Sequence, residues 1–389
     1  MKSILSSGWR FIPQSYAVVT QSECLEILRR PDAYRLYFED VPYRGSAWVA
    51  RFGLFDPDAE NQLRAIPLLS PNLTLDAELR RSTPFDFQRP PRAAHTAVFA
   101  TAEALTVPTY SVAGGLQLGE AQRRHGFDVI TPSSWSKEGI VRCGVPEGKV
   151  TVIPLGFDPA LFRPAAKVER DEIRKRLGFG PEEFVFFHAG AMTLYKGMEF
   201  LLRAFARVQA THAHAKLLLK GVDDLYSSGD WIRQSMREQN VAHSESIAKR
   251  IRYIGDSLSF KDMAALYQAS DCYIAPYIAE GFAMPVLEAA ACGLPVICTG
   301  GGSTDDFVSD AVALRIESTR QKLVGFDTGE APYAVGLIPD EEHLVHLMLV
   351  ALDDAEYRES AGAAATAFAQ QFTWTRVVDR LLAFLAPGS

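Results

Sequence analysis

Two glutamates, Glu280 and Glu288, lie eight positions apart, with a glycine, a proline and the start of a helix between them. Pro285 suits the first turn of a helix, where its missing N–H would have no partner. Residues 281–284 then form a loop whose backbone amides, with the helix N-terminus, make an anion site suited to a diphosphate. Glu288, one turn inside the helix, could reach a ribose diol, and Glu280 would lie beside whatever the phosphate carries. A strand, loop and helix with two solvated glutamates is the simpler alternative.

The sequence on either side predicts the elements that would hold this loop. Tyr273–Tyr277 is apolar enough for the end of a buried strand, Gly293 ends the helix, and Leu294–Cys298 resumes as a strand. The loop therefore falls at the carboxyl edge of a parallel sheet, where ligands bind in open α/β folds.

Short apolar runs alternate with helical periodicity along the whole chain, which predicts parallel βαβ units in both halves. The predicted strands are Ser3–Ser6, Tyr34–Glu39, Thr96–Thr101, Asp128–Pro132 and Val150–Pro154, then Phe184–His188, Lys216–Leu219, Arg252–Ile254, Cys272–Pro276, Pro295–Cys298 and Val312–Arg315. A last helix over residues 374–384 has one apolar face.

These motifs resemble a known family. Glu280-Gly281-Phe282 through Pro285 and Glu288 is similar to the acidic signature of retaining nucleotide-sugar glycosyltransferases of the two-Rossmann-domain (GT-B) architecture, family 4 type. Further segments that match the family are Val129–Ser134, Val150–Asp158, Phe162–Pro164, Lys196-Gly197, Phe200–Phe205 and Thr373-Trp374. The resemblance covers residues 125–385 well and residues 1–120 only loosely.

The resemblance implies an α/β fold of the GT-B class, with two facing, doubly wound Rossmann-like domains and a cleft between them. Residues 1–163 would bind the acceptor, through loops in residues 40–95, and residues 164–370 would bind the nucleotide sugar. Residues 371–389 would form a helix that packs back on the first domain. The implied activity is transfer of a sugar from a UDP- or GDP-linked donor to an acceptor hydroxyl, without a metal and with retention of configuration.

The resemblance also assigns roles to residues on the donor side. Glu280 and Lys196 would be catalytic, with Lys196 stabilising the leaving diphosphate. The donor-binding residues would be Glu288, Gly281, Phe282, Ala283, Met284, Pro285, Lys220, Ile254, Gly255 and Gly190. The family usually has an arginine five positions before the lysine, where this chain has Ala191. Lys220 is a candidate for the missing cation, or else a solvated charge at a strand end.

The acceptor or sugar side is predicted from weaker matches. Gly8 and Arg10 follow the first predicted strand, where the family has a glycine-containing loop, although an ordinary turn would explain them equally well. Family members often have a histidine at the end of a middle strand of this domain. Thr101 or Glu103 would have to stand in for it here, since His95 begins that strand.

Composition is that of an ordinary globular protein: 389 residues, 48% apolar and 22% charged, with a net charge of -7. We expect a cytoplasmic protein, because the five cysteines lack metal spacing and suit core thiols, and because no signal peptide or membrane-spanning run is evident. The arginines in the first half of the chain could bind an anionic acceptor or the inner face of a membrane. The alternative is that they belong to an ordinary solvated surface of mixed charge. The sequence has no basic stripe or recognition motif of the kind that binds nucleic acid, so we expect no nucleic-acid partner.

We predict no cofactor and no metal. The expected partners are a nucleotide-sugar donor and an acceptor that is a glycan, a lipid-linked sugar, a protein or a small molecule. Two alternatives share the fold: a nucleotide-sugar epimerase, and a catalytically silent subunit, which the alanine at position 191 keeps open. A dinucleotide-dependent dehydrogenase is disfavoured because no G-x-G-x-x-G follows an early strand.

Overall fold

The structure, a computed structural model, describes residues 1–45, 47–69, 73, 75–239, 245–324 and 332–387. The chain forms two compact units. Unit 1 comprises Met1–Gly156, Lys322–Val335 and Phe372–Ser389, and unit 2 comprises Phe157–Gln321 and Gly336–Gln371.

Unit 1 is built on a parallel six-stranded sheet with the strand order β2-β1-β3-β4-β5-β6. Its elements are β1 (Lys2–Gly8), α1 (Ser15–Leu28), β2 (Tyr34–Asp40), α2 (Pro57–Ala65), β3 (Leu75–Arg81), β4 (Ala93–Phe99), α3 (Leu118–His125), β5 (Asp128–Thr131), α4 (Ser134–Arg142) and β6 (Val150–Val152). The last helix of the chain, α14 (Trp374–Leu385), also belongs to this unit.

Unit 2 repeats the design with a parallel six-stranded sheet of order β12-β11-β10-β7-β8-β9. Its elements are α5 (Lys167–Arg176), β7 (Phe184–Ala189), α6 (Met198–Thr211), β8 (Ala215–Lys220), α7 (Asp223–Tyr226), α8 (Ser228–Glu238), α9 (Glu245–Ala248), β9 (Ile251–Ile254), α10 (Phe260–Ala269), β10 (Cys272–Ala275), α11 (Met284–Ala291), β11 (Val296–Thr299), β12 (Ala313–Ile316), α12 (Glu341–Asp353) and α13 (Ala355–Ala369). Strands β13 (Ser318–Lys322) and β14 (Val335–Pro339) form a separate two-stranded sheet.

Helices cover both faces of the unit 2 sheet, as the alternation of strand residues requires. Phe186 of β7 joins the core cluster that includes residues of α6 and α12. The next residue, Phe187, points to the opposite face, where its ring lies 4.9 Å from that of Tyr267 in α10. The predicted α/β class is confirmed.

One strand of unit 1, β3, is missing from the predicted set, so residues 40–95 are not all loop. Its charged residues are buried in pairs: the guanidinium of Arg80 binds the Glu78 carboxylate at 3.0 Å, and that of Arg81 binds Glu23 of α1 at 2.7 Å. Buried charges in proteins are normally paired in this way. The strand therefore looks polar in sequence although it lies in the middle of the sheet.

The amphipathic helix α14 packs against α1 within unit 1. Its apolar stripe, Val377, Val378, Leu381, Leu382 and Leu385, is buried. At the edge of this contact Arg30 binds Asp379 at 2.7 Å, and His95 Nδ1 lies 3.1 Å from the Leu385 carbonyl oxygen. Within the described residues, no helix is both long and apolar enough to cross a bilayer.

Candidate functional site

The lysine turn, Leu194–Lys196, follows β7 at the carboxyl edge of the unit 2 sheet. After Ala189 the chain runs through a loop and a 3-10 turn, Leu194–Lys196, into α6. Gly197 opens this helix in the left-handed conformation, with φ of 66°. A Cβ on Gly197 would overlap the carbonyl oxygen of Pro276, just after β10. Glycine is therefore required for the lysine turn to lie this close to the end of the neighbouring strand.

Two backbone hydrogen bonds join the lysine turn to the segment that carries the first glutamate. The carbonyl oxygen of Tyr195 accepts from the N–H groups of Ile278, at 2.7 Å, and Ala279, at 3.4 Å. The Lys196 ammonium consequently donates to Oε1 of Glu280. Both side chains are largely removed from water, at 20% and 13% exposure. The structure thus brings together the two predicted catalytic residues, which are 84 positions apart.

Gly190 makes room for the lysine side chain. A Cβ at this position would lie 3.0 Å from Cε and 3.5 Å from Nζ of Lys196, so the lysine side chain passes directly over the glycine. The next residue, Ala191, contributes its carbonyl oxygen to the Ser228 hydroxyl at 2.9 Å. Gly190 therefore has a steric role beside Lys196, and Ala191 supplies only backbone at the position where the resemblance implies an arginine.

The signature loop, residues 281–284, leads into α11 as the sequence indicates. Ala283 precedes the helix in the left-handed conformation, with φ of 68°, and Pro285 lies in the first turn. Phe282 is buried and stacks on Phe307 with ring centroids 4.6 Å apart, which anchors the loop. The N–H groups of Ala283 and Met284 head the helix, where no intrahelical acceptor exists for them. Together with the helix dipole they favour an anion.

Glu288 lies one turn into α11 and is held by a tyrosine. Its Oε2 accepts a hydrogen bond from the Tyr267 hydroxyl at 2.6 Å. Burial raises the pKa of Glu288 to about 7, and the tyrosine hydrogen bond opposes this only in part. The carboxyl group therefore changes charge near neutral pH. Hydroxyl groups that donate hydrogen bonds to it would favour the charged form.

Lys220 does not join the pair formed by Lys196 and Glu280. It is buried at 4% exposure at the end of β8, and its ammonium donates to the carbonyl oxygen of Gly221. Burial lowers the pKa of Lys220 to about 8, although Asp223 and Asp256 favour the charged form. Its ammonium is therefore engaged at its own strand end, and a role in binding the donor stays a prediction.

Two further predicted donor-binding residues lie at the end of the neighbouring strand: Ile254 is the last residue of β9, and Gly255 follows it. The Ile254 carbonyl oxygen accepts from Gly221 N–H at 2.9 Å, and that of Gly255 accepts from Asp223 N–H at 3.0 Å. A Cβ at Gly255 would overlap the Asp223 carboxylate. The backbone of both residues is thus fixed at the same sheet edge as Lys220.

Gly8 and Arg10 of unit 1 have internal partners. A Cβ at Gly8 would lie 2.7 Å from the Arg81 carbonyl oxygen. The guanidinium of Arg10 binds both oxygens of Asp40, at 3.0 and 2.5 Å, and donates to the Leu63 carbonyl at 2.6 Å. These contacts explain both residues by packing, and an acceptor contact stays a prediction.

Thr101 and Glu103 follow β4, which ends two residues earlier than predicted. The Thr101 hydroxyl lies 2.8 Å from that of Tyr16. Glu103 has an exposed side chain, and its carbonyl oxygen accepts from the Trp135 indole at 2.7 Å. Both residues lie at the carboxyl edge of the unit 1 sheet.

Three residues of the unit 2 site were missed in the sequence. Tyr195 acts through its backbone, for which no sequence signal exists. Tyr267, the partner of Glu288, looks like an ordinary core residue of α10. His188, in the strand before the lysine turn, stands out as a polar residue in the run Phe184–Ala189, and that was the one available signal.

The parallel sheets and their connections define the class of protein, and solved structures agree. HepE of Anabaena, solved in complex with UDP and glucose, superposes with a TM-score of 0.70 at 16% identity, over 99% of each chain. WaaG, a glycosyltransferase involved in lipopolysaccharide biosynthesis, superposes with a TM-score of 0.65 at 14% identity, over 99% of this chain and 100% of WaaG. The chain has the GT-B fold, as predicted.

Sequence comparison finds a family match for part of the chain. Residues 169–323 match the family model of glycosyl transferases group 1. D-inositol 3-phosphate glycosyltransferase 1 of Catenulispora acidiphila is 31% identical over 241 residues, 61% of this chain and 51% of the relative. A GDP-mannose-dependent monoacylated alpha-(1-6)-phosphatidylinositol monomannoside mannosyltransferase of Corynebacterium glutamicum is 26% identical over 237 residues, 59% of this chain and 54% of the relative. The chain thus spans about half the length of these curated relatives.

Proposed function

We propose that this chain is a retaining glycosyltransferase that moves a sugar from a UDP- or GDP-linked donor to an acceptor hydroxyl. The observation that carries the proposal is the contact of Lys196 with Glu280 at the same sheet edge as the N-terminus of α11. A diphosphate suits the helix amides and the lysine, and a sugar attached to it suits the glutamate. The family of residues 169–323 supports the same activity.

The proposed reaction breaks the bond between the anomeric carbon and the phosphate oxygen through a transition state with oxocarbenium character. Lys196 and the α11 amides stabilise the negative charge that develops on the leaving diphosphate. The acceptor oxygen bonds to the anomeric carbon on the same face, and its proton passes to the departing phosphate oxygen. Glu280 binds the sugar hydroxyls and stabilises the positive charge, and Glu288 binds the ribose.

Transfer is tested by incubating the protein with a panel of UDP- and GDP-sugars, with and without candidate acceptors, and measuring free nucleoside diphosphate. NMR of the purified glycoside should show the anomeric configuration of the donor. An inverted product would refute the retaining mechanism. A product that is only a second nucleotide sugar would instead identify an epimerase.

We further propose that transfer is independent of metal, because the positive charge for the diphosphate comes from Lys196 and helix amides. Turnover should then continue in excess chelator. Complete loss of activity in chelator, restored by manganese, would contradict this part of the proposal.

The acceptor is proposed to be a glycan, a lipid-linked sugar, a protein or a small molecule.

We also propose peripheral association with a membrane, which a surface of unit 1 supports. Val49 and Phe52 are exposed, at 57% and 56%, and the Arg64 guanidinium lies 4.2 Å from the Phe52 ring centroid. Apolar side chains beside cations suit an anionic lipid surface. Sedimentation with vesicles of anionic or neutral lipid, with Phe52→Ser as the comparison, tests this association.

A further inference from the structure

His188 lies in β7, two residues before Gly190, and is buried at 1% exposure. Its Nδ1 is 2.7 Å from the carbonyl oxygen of Ile274 in β10. A carbonyl oxygen only accepts, so Nδ1 carries the proton and Nε2 is a bare acceptor. The hydrogen bond on one ring nitrogen thereby determines the chemistry of the other.

The Nε2 atom of His188 is buried and has no hydrogen-bond partner among the residues that the structure describes. An unsatisfied buried acceptor is costly, and folded proteins hold few of them. At the edge of a candidate site, such an acceptor is available to a hydrogen-bond donor that comes within reach when a ligand binds.

The Lys196 ammonium is the hydrogen-bond donor that the local geometry favours for His188 Nε2. His188 is the penultimate residue of β7, and the Cβ position of Gly190 lies two residues further along the chain, just beyond the end of the strand. The Lys196 side chain passes over that position. Burial, and in smaller part the charge of Lys196, lower the pKa of His188 to about 4, so the imidazole is neutral at physiological pH. A neutral acceptor next to an ammonium is favourable, whereas an imidazolium would repel it.

We propose that His188 is a positioning residue, whose Nε2 accepts a hydrogen bond from the Lys196 ammonium when a donor diphosphate draws that ammonium away from Glu280. The role rests on the proposed function, because it concerns the lysine that stabilises the leaving group. In the structure, Lys196 donates to Glu280. When the nucleotide-sugar donor is bound, the Lys196 ammonium would contact the diphosphate. A hydrogen bond to His188 Nε2 would then keep the ammonium in that position.

The test uses variants of the full chain that differ in the buried acceptor. His188→Phe keeps the ring and loses both nitrogens. His188→Asn can still bind the Ile274 carbonyl but lacks an acceptor at the Nε2 position, which His188→Gln can supply. We expect the Phe and Asn variants to lose roughly 10- to 100-fold in kcat, the value of one hydrogen bond to a charged group. We expect the Gln variant to keep most of the activity.

Two controls separate positioning from structural damage. Phe186→Leu perturbs the core on the same strand face and should lower the Tm without lowering kcat. In a Lys196→Ala background, replacing His188 should have no further effect on kcat, because the histidine acts through the lysine. Nucleoside diphosphate affinity should stay within about threefold in the single His188 variants, since most of the anion site is intact.

The inference is overturned if the Phe and Asn variants turn over like the wild type, or if their losses add to that of Lys196→Ala. It is also overturned if the Gln variant is as impaired as the Asn variant. Wild-type protein that transfers no sugar from any donor would refute the proposed function, and the positioning role with it. These results are distinguishable because only the last one concerns the unmodified chain.

Discussion

Glu280→Gln tests the contact at the centre of the proposed site. The substitution keeps the size of the side chain and its ability to bind hydroxyls, but it removes the charge. Because Glu280 is only 13% exposed, this charge acts in a largely water-excluded site. Removing one such electrostatic contact should lower kcat by roughly 10- to 1,000-fold.

The ion pair predicts a second, opposite effect of the same substitution. In the wild-type protein a diphosphate has to draw the Lys196 ammonium away from the Glu280 carboxylate. Exposed ion pairs are worth up to about 1 kcal/mol, and this pair is screened less by water, so nucleoside diphosphate should bind at least roughly fivefold more tightly to the variant. Titration calorimetry with UDP and GDP measures the affinity, and single-turnover transfer measures the chemical step.

Lys196→Ala is the matched control, because it removes the other half of the pair. It should weaken diphosphate binding and slow the chemical step together, whereas Glu280→Gln should separate the two. Wild-type turnover in Glu280→Gln would refute the role of the carboxylate. Weaker diphosphate binding in that variant would refute the competition between carboxylate and phosphate.

Three other residues give independent predictions. Because the pKa of Glu288 is about 7 and its usual value is 4.5, the free energy of unfolding should decrease as pH rises from 4.5 to 7, and Glu288→Gln should remove that slope in denaturant titrations at several pH values. The affinity for the nucleotide-sugar donor should also fall, roughly tenfold between pH 7.5 and 6, because Glu288, which is proposed to bind the ribose, becomes protonated. A pH-independent affinity of the wild type would contradict the ribose contact. Ala283→Gly should relieve the left-handed backbone, with φ of 68°, and raise stability by about 1 kcal/mol in thermal denaturation without weakening donor binding; a lower Tm would show that the alanine methyl matters more. Glu78→Gln should remove the nearer of the two carboxylates that pair with the buried Arg80 charge and cost about 3–5 kcal/mol in chemical denaturation, so a loss below about 1 kcal/mol would mean that Asp86, at 3.8 Å, suffices as the partner.

Most of the fold could be predicted because apolar strands of a parallel sheet leave a clear sequence pattern. Phe184–His188 was predicted as a strand, and β7 spans Phe184–Ala189. Ser259 caps α10 by accepting from the Asp262 N–H at 3.1 Å, and the spacing of these two residues is a local sequence signal for a helix start. β3 was missed because hydrophobicity is judged residue by residue, whereas the burial of its charges depends on partners such as Glu23, far away in sequence.

The site was predictable in its backbone and less so in its side chains. The spacing of local residues led to the loop before α11, and the resemblance led to Lys196. The contact of Lys196 with Glu280 depends on two segments of the chain that meet only in the folded sheet. Arg10 shows the converse: nothing in the sequence around it indicates that Asp40 and Leu63 engage its guanidinium.

The contact of Tyr195 with the backbone of Ile278 and Ala279 limits how such a chain can be recombined. Gly197 and Pro276 meet so closely that the two segments fit each other as main chain, whatever side chains they carry. A chimera that imports only the glutamate segment from a relative would set a foreign backbone against the native lysine turn. Grafts intended to change the donor sugar should therefore exchange both segments together, and crossover points between them should be poorly tolerated.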